Sequence, residues 1–141
     1  MKRGYKRSRS IELFGAKYTE NYPSGCGVRV DRPHPSYYTN NQIHTNVNST
    51  CHTVPVISST LRGNMYRSRW WGWEKQNLNE PSSRQVTGRD AAQYNWTAAV
   101  NCTNGDLYRY RTEGFGTIVT PNGTYSAQAY EQNDSEIRCG D

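Results

Sequence analysis

The residues of this 141-residue chain with the most distinctive chemistry lie in one run, Tyr66-Arg67-Ser68-Arg69-Trp70-Trp71-Gly72-Trp73-Glu74. Three Trp and one Tyr interleaved with Arg offer flat apolar faces for stacking on a sugar or a base, and guanidinium groups for cation–π contacts. A second run, Tyr108-Arg109-Tyr110-Arg111, repeats the theme. On a strand, Tyr108 and Tyr110 share one face and Arg109 and Arg111 the other. Two readings stand side by side. In one, Arg69, Trp70, Trp71, Trp73, Arg109 and Arg111 form a contact surface for a partner. In the other, the aromatics are the core and Arg stems cover its edges. The core reading gains from composition, because Ile, Leu, Val and Phe number only 5, 4, 8 and 2. A continuous strand through the run would send Trp70 and Trp71 to opposite faces, leaving one of them as the better surface candidate.

Nucleophilic and metal chemistry have little to build on. There is no GxSxG elbow, HExxH pair, Walker loop or Rossmann glycine pattern. Glu74, Glu113, Glu131 and Asp134 could be combined with His34 or His52 only arbitrarily, so the chain reads as a non-enzyme without a cofactor. His34, His44 and His52 lack metal-type spacing, and His44 and Cys51 fall at opposite parity of one strand-like run, so no metal is expected.

Charge is concentrated at one end. Lys2, Arg3, Lys6, Arg7 and Arg9 account for the net charge of +5, and the remaining chain balances 12 basic against 12 acidic residues. A neutral domain therefore carries a basic arm, expected over residues 1–24, ahead of a β-domain at 25–141. The arm suits two uses: docking in an acidic cleft of a partner protein, with Tyr5 and Phe14 as anchors, or neutralising phosphates. Any contact with nucleic acid is thus expected to be confined to the arm. No apolar run approaches the roughly 18 residues a membrane-spanning helix needs, so no membrane partner is expected. Ile11–Ala16 is too short and polar for a signal-peptide core.

Cys26, Cys51, Cys102 and Cys139 are even in number, far apart and free of CxxC spacing, as expected of two structural disulfides. Of three connectivities, the spacing favours Cys26–Cys51 and Cys102–Cys139, each stapling neighbouring strands within its own half. Five Asn-x-Ser/Thr sequons begin at Asn48, Asn95, Asn101, Asn122 and Asn133. Together these features point to a secreted, extracellular protein.

The elements that must position these residues read as strands. Apolar residues keep no helical period, whereas Ile43, Thr45, Val47, Ser49 and Cys51 alternate with polar ones over Gln42–His52. Cys26–Arg32 reads as a short strand and Val54–Ile57, with Pro55, as an edge strand. Leu61–Lys75 reads as one long strand or a strand bulged at Gly72. Asn77–Ala92 reads as a polar connection. Asn104-Gly105 and Asn122-Gly123 each signal a hairpin, and Ile137–Cys139 closes a last strand. About eight short antiparallel strands in an all-β sandwich or open barrel follow.

Tyr66–Glu74, Tyr108–Gly116 and the terminal Cys139 give a chain that resembles small secreted, disulfide-stapled, β-rich proteins of actinobacteria. Over residues 26–139 it is similar in size and style to the connector subunits of umbrella toxin particles. That resemblance implies a non-catalytic adaptor whose N-terminal extension docks in a partner cleft and whose sheet edge pairs with a partner strand. The expected function is accordingly an adaptor joining other protein subunits, through Lys2, Arg3, Tyr5, Lys6, Arg7 and Arg9 of the arm and the aromatic-Arg surface. The alternatives are a viral structural protein with a basic arm and a carbohydrate-binding module using Trp70–Trp73.

Overall fold

A computed structural model describes residues 22–36, 39 and 41–140. The arm positions Lys2, Arg3, Tyr5, Lys6, Arg7 and Arg9 lie outside the described residues. Ten antiparallel strands dominate: β1 (Cys26–Pro35), β2 (Gln42–Cys51), β3 (Ser58–Arg69), β4 (Gly72–Lys75), β5 (Ser83–Thr87), β6 (Gln93–Asn101), β7 (Leu107–Tyr108), β8 (Tyr110–Thr120), β9 (Gly123–Gln132) and β10 (Ile137–Arg138). One sheet has the order β1-β2-β6; the other runs β4-β3-β8-β9, with β5 also on β3, and β7 and β10 form a small ribbon.

The two larger sheets pack face to face, because alternation gives each one apolar side. On β2 the inward residues are Ile43, Thr45, Val47, Ser49 and Cys51, as the sequence pattern requires. Val28, Val30, Val47 and Trp96 of one sheet meet Leu61, Ile118, Ala127 and Ala129 of the other. A second cluster, Ile43, Met65, Val100 and Tyr110, fills the end nearer β7 and β10. Tyr22, within the stretch expected as arm, is buried in the main cluster and its hydroxyl lies 3.1 Å from Ser49 Oγ.

Trp96, fully buried, supplies much of the bulk that scarce aliphatic residues cannot. Its ring lies against Gly63 of β3, where a side-chain carbon would collide with the indole. The indole Nε1–H donates to the Pro81 carbonyl at 3.1 Å, so its one polar group is satisfied.

Both expected disulfides are present, Cys26–Cys51 and Cys102–Cys139. The first joins residues directly opposite in the β1–β2 register. The second ties the end of β6 to the C-terminal ribbon. These bonds are consistent with an oxidising, extracellular type of environment.

Several local expectations are corrected. Val54–Ile57 forms no strand; it is the crossover from β2 in one sheet to β3 in the other, and Pro55 removes a ladder donor within it. Asn104-Gly105 makes a turn, with Gly105 at φ 92°, but not a hairpin. The flanking β6 and β7 belong to different sheets. Gly105 N–H donates instead to the Cys139 carbonyl at 3.0 Å, and Cys139 N–H to Asp106 at 2.9 Å, so the C-terminal strand captures the turn. The β8–β9 hairpin does form, with Thr120 opposite Gly123 and Pro121-Asn122 as its loop. The polar connection contains β5 and a 3₁₀ turn at Gly88–Ala92, which raises the strand count above eight.

The largest correction concerns Leu61–Lys75, which is a hairpin and not one strand. Arg69 pairs with Gly72, leaving Trp70-Trp71 as a two-residue loop. Gly72 adopts φ 142° and Gly123 adopts φ 148° at the same place in the β8–β9 hairpin. In both, a residue free to take positive φ directly after the loop lets the chain reverse.

Candidate functional site

The β3–β4 hairpin places its two loop indoles in solvent. Trp70 is 95% exposed and Trp71 55%. The opposite-face expectation for this pair does not apply, because strand alternation ends at Arg69. The reading of both as core is likewise overturned, and the core tryptophan is Trp96.

The strands behind the tip are braced on both faces. On the inner side, Arg67 faces Glu74 in the register. Glu74 Oε1 receives Arg67 Nη2 at 3.6 Å and Arg69 Nε at 3.5 Å. The Arg67 guanidinium also covers the Tyr108 ring at 4.5 Å, and Tyr108 meets Tyr110 edge-on at 6.4 Å. On the outer side, Trp73 lies opposite Ser68, and Arg109 sits 5.3 Å from its ring centroid. Ser68 N–H donates to the Arg109 carbonyl at 2.8 Å, and Arg109 N–H donates to Ser68 Oγ at 3.0 Å. The tip is thus carried by a stem with ordered side chains, which lowers the entropy lost when it is gripped.

Of the residues read from the sequence, Arg69, Trp70, Trp71 and Trp73 come together on this hairpin, and Arg109 joins them through Trp73. Arg111 does not. It lies on the outer face deeper in the sheet, opposite Tyr66, with its guanidinium 3.9 Å from the Tyr130 ring and an Nη2 contact of 3.2 Å to Glu113. The Tyr66 hydroxyl donates to the other Glu113 oxygen at 3.1 Å. Burial, followed by the Glu113 charge, raises the Tyr66 pKa above 10.0. Sequence reasoning missed this network and the Arg62–Phe115 contact at 4.2 Å. Both depend on cross-strand register, for which the chain carries no local signal.

The acidic residues available for catalysis are engaged by arginines. Glu74 and Glu113 are held as described, and Arg32 contacts Glu131 at 3.6 Å and Asp134 at 3.3 Å. His34 and His44 are cross-strand partners with ring centroids 6.2 Å apart. Desolvation, and secondarily the charge of His34, lowers the His44 pKa from 6.5. Among the described residues no group of three His, Cys, Asp or Glu side chains is placed to hold a metal ion. No helix among them is long and apolar enough to cross a membrane. Among the sequon residues, Asn133 is buried: its Oδ1 accepts from Tyr110 N–H at 2.8 Å and its Nδ2 donates to the Pro33 carbonyl at 2.9 Å. Asn95, Asn101 and Asn122 are exposed.

No protein-family model matches the chain, and no curated protein does.

Proposed function

We propose that this protein is a secreted, non-catalytic adaptor that engages another protein subunit through the Trp70–Trp71 tip. The observation that carries the reading is the adjacent pair of solvent-exposed indoles on a braced hairpin. Exposed Trp side chains are costly in a free protein, and Trp is the residue type most enriched among those that dominate binding energy. Arg69 and Arg109 at the base supply a polar rim of the kind that surrounds such anchors. The pairing of Glu74, Glu113, Glu131 and Asp134 with arginines supports a binding role over acid–base catalysis. In this reading the basic arm is a second contact, and the resemblance to connector subunits favours a toxin particle as the assembly.

The test is binding to proteins encoded beside this gene, measured with the wild-type chain and the Trp70→Ala/Trp71→Ala variant. Loss of affinity by about 30-fold or more, the weight of an interface hot spot, is expected. Unchanged affinity overturns the tip as the contact. Glycan-array binding abolished by Trp71→Ala would establish the carbohydrate-binding alternative instead.

A further inference from the structure

Among the described residues the two larger sheets expose several strand edges, and those of β1, β6, β4 and β5 carry features that hinder pairing with another chain. β1 has Pro33 and Pro35 and a register shift between Asp31 and His34. The free side of β6 is covered by the chain after β4: Leu78 bridges to Val100, Asn79 N–H donates to the Ala99 carbonyl at 2.9 Å, and Asn79 Oδ1 accepts from Ala99 N–H at 2.8 Å. The outer edge beyond β3 is broken into β4 and β5, of four and five residues, bearing Glu74, Lys75 and Arg84. Short strands, prolines, bulges, covers and charges are the usual means of keeping edges unpaired.

β9 has none of these but a single charge. It runs ten residues, Gly123–Gln132, without Pro, Lys or Arg, and pairs with β8 in one unbroken register. Among the described residues no strand pairs with its other side. Its single charge, Glu131, is turned to Arg32 of β1 at 3.6 Å. An edge strand has about half of its backbone N–H and C=O groups directed outward, so β9, whose one charge is paired within the chain, offers a long ladder that a further strand can extend.

We infer that β9 is a self-association edge, pairing antiparallel with β9 of a second copy of this chain to make one continuous sheet across a two-fold axis. The occupant follows from self-complementarity. A two-fold axis at Ala127 sets Ala127 against its own copy, Tyr125 against Ala129, Ser126 against Gln128, and Thr124 against Tyr130. Large residues then face small or β-branched ones, the polar pair can hydrogen-bond, and Glu131 lies opposite Gly123 with no like charge near it. Antiparallel edge pairing is compatible with this symmetry, since the same patch serves both copies. A contact of one strand pair buries on the order of 1,000 Å², at the small end for specific interfaces, so a micromolar dissociation constant is expected.

Analytical ultracentrifugation of the full chain between about 1 and 200 µM, spanning that constant, tests the inference. A concentration-dependent dimer is expected. Ser126→Lys/Gln128→Lys places like charges opposite each other across the axis and should weaken the dimer at least about tenfold. Ser126→Lys/Gln128→Glu places opposite charges there and should restore it. Hydrogen exchange on the unmodified protein is the second readout: amides within Gly123–Gln132 should slow as the dimer fills. The inference is overturned if the wild-type chain stays monomeric, or if it dimerises while those amides exchange at an unchanged rate. A dimer equally tight in the double-lysine variant overturns it too. Trp70→Ala/Trp71→Ala should dimerise as the wild type does; loss of the dimer there would move the contact to the tip and overturn the edge assignment.

Discussion

The tryptophans range from buried Trp96 through half-buried Trp73 to exposed Trp71 and Trp70, and stability and binding should divide between the two ends of that range. Trp96 fills the gap opposite Gly63, so Trp96→Ala should cost about 3–5 kcal/mol in chemical denaturation, as removal of a buried aromatic does. Gly63→Ala should cost about 1–3 kcal/mol by overpacking the same contact. Trp70→Ala should leave the unfolding free energy within about 0.5 kcal/mol of wild type, because its side chain is 95% exposed, and Trp71→Ala, whose ring is partly covered, should fall between Trp70→Ala and Trp96→Ala. His44 adds a pH term. Its folded pKa lies below 6.5, so the unfolded chain takes up the proton first. The stability associated with neutral His44 is therefore present above about pH 6.5 and is lost as pH falls through the folded value. Thermal scans across that interval should show a downward slope on acidification, and His44→Gln should flatten it. The types of these residues were legible in the chain. Their division into core and surface was not, because composition alone cannot say which of several tryptophans faces a glycine.

Among the elements, the two hairpins and the C-terminal ribbon show how local signals are kept or overridden. A two-residue loop followed by Gly governs both β3–β4 and β8–β9, yet only Asn122-Gly123 stands out as a turn dipeptide in the sequence. Trp70-Trp71 has no turn propensity, and its loop conformation rests on Gly72 and on the arginine pairs behind it. Gly72→Val should accordingly loosen the tip, seen as faster hydrogen exchange in β4 without global unfolding. The Asn104-Gly105 turn forms, but β10 and the Cys102–Cys139 bond decide which strand it serves. Cys102→Ser/Cys139→Ser should lower stability by about 2–4 kcal/mol and raise exchange first in β7 and β10.

For the whole molecule, charge and assembly are separate matters. Deleting residues 1–10 removes five basic residues and leaves 12 basic against 12 acidic ones, so the truncated protein should lose its retention on a cation exchanger. If the arm is a docking contact, the same deletion should weaken binding to the partner subunit; unchanged binding would remove the arm from the proposed function. The β-sandwich places the aromatic tip and the β9 edge on different elements. One copy can thus present a tip to a partner while its edge pairs with another copy.

What the sequence determined by itself was local and periodic: an all-β fold from alternation and turn residues, the inward set of β2, two disulfides favoured by spacing, and the confinement of net charge to ten residues. Tertiary structure alone decided the rest. It converted Leu61–Lys75 from a strand into a hairpin, assigned β6 and β7 to different sheets, placed Trp96 in the core and Trp70 and Trp71 outside it, and, among the described residues, left one side of β9 without a partner strand. The physical reason is one of range. Alternation and turn chemistry act between near neighbours in the chain, whereas register, sheet partnership and the filling of space between layers depend on residues far apart in sequence.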